Sequence, residues 1–204
     1  MGQRLVITIK QNEEEIAKVY YHWSAYSLSA LYETRKIIDV LYDDENAEKD
    51  LKLRLIRFCE SNGGGIDGGE GSEEWKYIME LYPNEEFKKE NINRNEGLIA
   101  LSKTGMKEMQ NWSEGSVYID LDFYEVENYV FSNFEDIDDY NYYRSEWEED
   151  FIEDNFKELT LEDIPEIKVN LSNFSVFDID NVIRKLQSFD GYLFRNGEEI
   201  YEVY

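Results

Sequence analysis

Cysteine is almost absent. Cys59 stands alone among 204 residues, which excludes an internal disulfide framework and leaves no cysteine pair for structural zinc. Histidine is as scarce, so serine–histidine catalysis or a histidine-bound metal would have to pass through His22. Only two prolines occur, and long irregular segments are therefore not expected. No apolar run reaches membrane-spanning length, and MGQRLVITIK at the start has no apolar signal-peptide core. These absences describe a soluble cytoplasmic protein with no membrane partner.

Positive charge is the other shortage. Against 46 acidic residues there are 21 basic ones, a formal net charge of −25 and a sequence pI near 4.3. Such a field opposes nonspecific binding to DNA, RNA or anionic lipid, and draws basic partners in. The excess is uneven: residues 1–102 carry a net −7 and residues 103–204 a net −18. Glu108 to Glu166 alone holds 20 acidic residues against Arg144 and Lys157.

What is present argues for a packed core. Apolar residues make up 42% and aromatics 15%, with 16 Tyr and 11 Phe, unlike a disordered acidic tail. Leu5, Ile7 and Ile9 alternate in RLVITIK, QNEEE turns, and Ile16 to Trp23 returns as a second strand. A helix follows through SAYSLSALYETRKIIDVLY, with Ser24 as its cap and Leu28, Leu31, Ile38 and Leu41 on one side. AEKDLKLRLIRFCE predicts a second helix burying Leu51, Leu55, Ile56 and Phe58 or Cys59. EEWKYIMELY predicts a third, ending at Pro83, and TGMKEMQNW a fourth. GLIALS reads as a strand or a helix start.

In SVYIDLDFYEV, Val117, Ile119, Leu121 and Phe123 alternate with polar positions and predict one long strand. VENYVFSNF is its expected partner, EWEEDFIEDNFKEL an acidic helix, EIKVNLSNF a strand and DIDNVIRKLQSF a last helix. GYLFRNGEEIYEVY closes the chain as a hairpin turning at Asn196–Gly197. The fold expected is a single α+β domain over residues 1–204, with an N-terminal hairpin, central helices and a mainly antiparallel C-terminal sheet. A subdivision into 1–95 and 96–204 is the alternative.

Several patterns carry chemistry in principle. GGGIDG, residues 63–68, has the letters of a dinucleotide fingerprint, but a helix precedes it and Asp67, Glu70, Glu73 and Glu74 would repel phosphate. It reads as a flexible loop, and a Ca²⁺ turn through Asp67 and Glu70 lacks the repeat such turns need. His22, in YYHW, reads as a core or edge residue beside Tyr21 and Trp23, and Cys59 as core. Asp120/Asp122 and Asp178/Asp180 are Asp-x-Asp pairs that on a strand would share a face and hold Mg²⁺ for phosphoryl transfer. Glu166 and Lys168 match the acid-x-Lys portion of some nucleases. In so acidic a chain both patterns are expected by chance, and no Lys/Arg cluster appears in the C-terminal half to hold nucleic acid. The reading is therefore no catalytic residue, no metal and no cofactor.

NFEDIDDYNYYRSEWEEDFIEDNF, residues 133–156, stands apart. Trp147, Phe151 and Phe156 have core spacing on a helix, whereas Tyr140, Tyr142 and Tyr143 sit among Asp136, Asp138 and Asp139 with little apolar company. Tyrosine gives contact area at low entropic cost, and carboxylates along an element are spaced comparably to phosphates on duplex DNA. The expected partner-binding set is Asp136, Asp138, Asp139, Tyr140, Tyr142, Tyr143, Glu146, Glu148, Glu149, Asp150, Glu153 and Asp154.

MGQRLVITI, followed by AKVYYHWSAY and SLSAL, resembles the start of uncharacterised proteins of Firmicutes phages and prophages over about the first 40 residues. The resemblance implies a phage setting, in which small acidic proteins are often inhibitors of host defence such as DNA-mimicking anti-restriction proteins and anti-CRISPRs. It carries no residue-level role. The function expected is thus an acidic, non-enzymatic inhibitor that binds a basic, nucleic-acid-binding host defence protein and does not itself touch nucleic acid. A metal-dependent phosphoryl-transfer enzyme using the Asp-x-Asp pairs and a phage structural or assembly protein are the rivals.

Overall fold

The computed structural model describes residues 4–25, 27–43, 47–89, 92–129 and 173–184. The segment 133–156 lies outside them, as do Glu166, Lys168 and the expected closing hairpin.

Strand β1 (Leu5–Gln11) turns directly into β2 (Glu14–Tyr21). The two-residue turn places both Asn12 and Glu13 at positive φ, 53° and 62°, the mirror-image geometry that matches strand twist in a hairpin. Helix α1 (Ser27–Leu41) and helix α2 (Leu51–Ser61) follow. Asp50 caps α2 by accepting a hydrogen bond from the Leu53 amide at 3.0 Å. Strand β3 (Gly65–Ile66), α3 (Glu73–Leu81), β4 (Leu98–Ala100), α4 (Lys103–Gln110), β5 (Gly115–Asp120), β6 (Glu125–Asn128) and β7 (Asn173–Ser175) complete the set, and residues 179–184 are helical. Ser72 and Ser102 cap α3 and α4 through the Trp75 and Gly105 amides.

The strands form one sheet in the order β3-β4-β2-β1-β5-β6-β7. Its pairings are mixed: β1–β2, β2–β4, β5–β6 and β6–β7 are antiparallel, and β1–β5 and β3–β4 parallel. The fold is α+β as expected, but the sheet of the described residues is mixed rather than mainly antiparallel. β1 reaches across the chain to pair Leu5 with Gly115, so strands from either side of residue 95 share hydrogen bonds.

The pleat sends alternate residues to two differently covered faces. On the first face Leu5, Ile7, Ile9, Val19, Val117 and Ile119 are fully buried against Leu31 and Ile37 of α1, Leu55, Ile56 and Cys59 of α2 and Ile78 of α3. On the second, Val6, Tyr20, Leu98 and Ala100 lie under Met106 and Met109 of α4. β1 is therefore buried on both sides. Among the described residues no helix is long and apolar enough to cross a membrane.

The glycine-rich segment departs from the flexible loop expected. Gly65 and Ile66 pair with Leu98 and Ile99, and Ile66 is fully buried. A Cβ on Gly64 would stand 1.8 Å from the Gly97 carbonyl oxygen, so these backbones approach in a way only glycine permits. Gly65–Ile66 is thus a sheet edge, with Gly64 required by packing and Gly68, Gly69 and Gly71 holding positive-φ turns after it.

Candidate functional site

β5 ends earlier than the apolar alternation implies. At Asp120 the side chain turns back, and Oδ1 accepts the amides of Asp122 at 2.9 Å and Phe123 at 3.2 Å. This Asx-type turn stops the strand and opens a four-residue loop, Leu121 to Tyr124. Asp122 Oδ2 then accepts the Glu13 amide at 3.2 Å, tying the loop to the β1–β2 turn, and the Leu121 amide donates to the Lys10 carbonyl. Tyr124 leaves the loop at φ 57°, a left-handed conformation that is uncommon for a bulky side chain and costs about 1–2 kcal/mol.

That geometry reverses the expected burial. Phe123, anticipated on the inner face of a longer strand, is 69% exposed; Tyr124 is 49% and Phe177 71% exposed. The Tyr124 and Phe177 rings stack at 5.8 Å with an interplanar angle of 26°. Both rest on Tyr42, whose ring centroid lies 6.1 Å from Tyr124 and 5.7 Å from Phe177. The Val176 amide donates to the Tyr124 carbonyl, so backbone as well as rings fix the two segments together. Beneath them the Tyr42 hydroxyl is buried with no hydrogen-bond partner among the described residues, and burial, helped by nearby Tyr124 and Asp120, pushes its pKa up. Asp120, Asp122, Glu125 and Asp178 border the rings in sequence. The result is an exposed aromatic patch: Phe123 and Tyr124 on a tethered loop and Phe177 stacked on Tyr124, with carboxylates next to each in sequence.

The twelve residues expected to bind a partner, from Asp136 to Asp154, all lie outside the described residues. The patch carries the same chemistry a short distance upstream, in DLDFYE. Its signal was present in the sequence as carboxylates interleaved with aromatics. The alternation of Val117, Ile119, Leu121 and Phe123 masked it, because periodicity alone does not register that Asp120 can cap a turn.

The Asp-x-Asp pairs do not sit together on a strand face. Asp120 ends β5 and Asp122 lies in the loop, each holding backbone amides. Asp178 belongs to a 3-10 turn, Val176–Asp178, and Asp180 to the following helix, where it accepts from Arg35 Nε at 2.7 Å. Among the described residues no group of three or more His, Cys, Asp or Glu side chains is placed to hold a metal ion.

His22 is half-buried, with Nδ1 2.7 Å from the Tyr20 hydroxyl and its ring edge-on to Trp23 at 4.9 Å. Cys59 is fully buried, and that burial raises its pKa well above an ordinary thiol, so it is an unreactive core residue.

A second feature escaped sequence reasoning. Lys18 is only 2% exposed at the base of a cleft of about 390 Å³ between β2 and α4, lined also by Glu14, Glu15, Lys103, Met106, Lys107 and Gln110. Its Nζ donates to Thr8 Oγ1 at 3.0 Å, Glu15 Oε1 at 3.1 Å and Gln110 Oε1 at 2.8 Å. An ammonium has three N–H groups, and all three are engaged. Lys18 therefore fastens α4 to the sheet and has no donor left for a ligand. Comparison of the chain with protein-family models, curated proteins and solved structures yields no match.

Proposed function

We propose that this protein is an acidic, non-enzymatic inhibitor that docks on a basic, nucleic-acid-binding surface of a host defence protein and occludes it. An anti-CRISPR or anti-restriction DNA mimic works in this way. The supporting observation is the Phe123–Tyr124–Phe177 patch: exposed rings with carboxylates beside them in sequence, Phe123 and Tyr124 on a loop tied to Lys10 and Glu13, and Phe177 stacked on Tyr124 from the turn after β7. Exposed rings offer burial area on binding, and the carboxylates select a cationic partner while repelling nucleic acid. The net charge of −25 extends that selection over the molecule. The phage setting rests on the N-terminal resemblance, and action in the host cytoplasm belongs to the same reading.

The test is capture of basic host proteins on immobilised protein, with elution by duplex DNA and by salt. Bound partner should be displaced by DNA and should weaken by orders of magnitude between about 50 mM and 200 mM salt. Reversing charge at Asp122 and Asp178, or at Asp138, Asp139, Glu148 and Glu149, should each reduce capture without unfolding the chain. Capture that ignores salt, DNA and both sets of reversals would sink the reading.

A further inference from the structure

The patch has a chemistry narrower than attraction to positive charge. We propose that it recognises arginine: guanidinium groups of the partner stack on Phe123, Tyr124 and Phe177 between the flanking carboxylates, and lysine does not replace them. This deepens the proposed function and rests on it.

The molecule itself contains the arrangement in closed form. The Arg57 guanidinium of α2 lies over the Phe87 ring, 4.8 Å from its centroid. The same fork donates from Nη1 to Glu60 Oε2 at 2.7 Å and to the Glu86 carbonyl at 2.7 Å, and from Nη2 to Glu85 Oε2 at 2.6 Å. One planar cation thus meets a ring face and two carboxylates at once. Lysine reproduces this less well: Lys10 lies over the Tyr118 ring at 4.7 Å, but an ammonium is a compact, strongly hydrated point charge without a stacking plane.

At the patch, exposed rings have carboxylates as their neighbours in sequence. Phe177 is followed by Asp178; Phe123 is preceded by Asp122, and Tyr124 is followed by Glu125. The rings of Phe123 and Phe177 are more than two-thirds exposed, and no cation lies over either among the described residues. The segments that carry the rings are held before any partner arrives, since Asp120 fixes the loop, Asp122 ties it to Glu13 and the Tyr124 carbonyl holds Val176. Preorganised rings and carboxylates leave less to be ordered on binding. In an acidic protein the cationic partner is set by charge complementarity. The ring faces then decide which cation.

The experiment compares hexa-arginine with hexa-lysine by calorimetry at low salt on the full chain. Hexa-arginine should bind about tenfold tighter, the sum of a few exposed ring–guanidinium contacts. The variant F123L/F177L keeps apolar area and removes two ring faces, and it should bring the two peptides to equal affinity. Circular dichroism checks that it folds, and the peptide ratio on the unaltered chain stands independently of any variant. Equal affinities on that chain, or an arginine preference that survives F123L/F177L, would overturn the inference and leave the basic-surface reading intact. If neither peptide binds, both fail together.

Discussion

The two faces of the sheet are built on different terms. The first is closed by α1, α2 and α3 with aliphatic side chains from β1, β2, β4 and β5, and its residues are buried almost without polar interruption. Among the described residues, the second is covered by α4 alone. Its apolar half ends at Val6, Tyr20 and Leu98, and beyond it lie Thr8, Lys18, Gln110 and Ser116 joined by hydrogen bonds, with Lys10 over the Tyr118 ring at 4.7 Å. Stability is therefore concentrated on the first face. The second face owes its arrangement to a chain of directed polar contacts, which fix where α4 sits more than how strongly it is held.

The most disruptive way to test that contrast is I7A. Ile7 is fully buried on the first face, and its truncation should cost about 2–5 kcal/mol through lost burial and the cavity left behind, read from urea unfolding. On the second face, K18A should cost less, about 1–3 kcal/mol, because Thr8 and Gln110 lose a buried partner while the half-exposed Glu15 returns to water. K18M should recover most of that loss by filling the same space with an apolar chain. A K18M protein as unstable as K18A would show that the polar chain contributes stability as well as placement.

Two aspartates sharpen the contrast through pH. Burial works against ionisation of Asp50, but hydrogen bonds from Tyr82 Oη and from the Leu53 and Lys52 amides prevail and hold it below its ordinary 3.8. Its contribution is present at neutral pH and is lost as pH falls through that lowered value. D50A, which also removes the α2 cap, should cost about 1 kcal/mol at neutral pH and progressively less in acid. Asp67, beside β4, has the opposite sign. Burial raises its pKa above 3.8, with Glu74 and Glu108 adding to the effect over the opposing Gly68 amide and Arg94. A raised group stabilises the fold only while protonated, so that contribution is gone once pH exceeds the folded value. D67N should then raise the unfolding midpoint at neutral pH, and the gain should vanish below about 3.8. Matching pH profiles for the two variants would refute the opposed signs.

Local patterns made much of this architecture readable. The β1–β2 hairpin, α2 with Leu55, Ile56 and Cys59 inward, α3 and α4 all follow from apolar spacing and caps within a few residues. The parallel pairing of β1 with β5 was not readable, because alternation states which side of a strand is buried and says nothing of its neighbour or direction. Ile66 was hidden by its glycines, whose need comes from the Gly97 carbonyl of a distant segment. Lys18 looked like an ordinary polar strand position, since its partners Thr8 and Gln110 come from two other elements. Part of the candidate site was legible as acidic–aromatic composition, but the loop that presents it depends on one side chain, Asp120, folding back on its own turn.

The position of β1 also sets an order of assembly. Its hairpin with β2 closes over a two-residue turn and needs only microseconds. Its other edge waits for Gly115–Asp120, about 110 residues later. At about 5–20 residues per second on a ribosome, that is roughly 5–20 s during which a central, apolar strand has one open edge. Parallel, long-range closure is intrinsically slow and leaves such an edge vulnerable to pairing with the wrong chain. The buried sheet centre thus stays incomplete until β5 is made, and the yield on folding should depend on how soon β5 arrives.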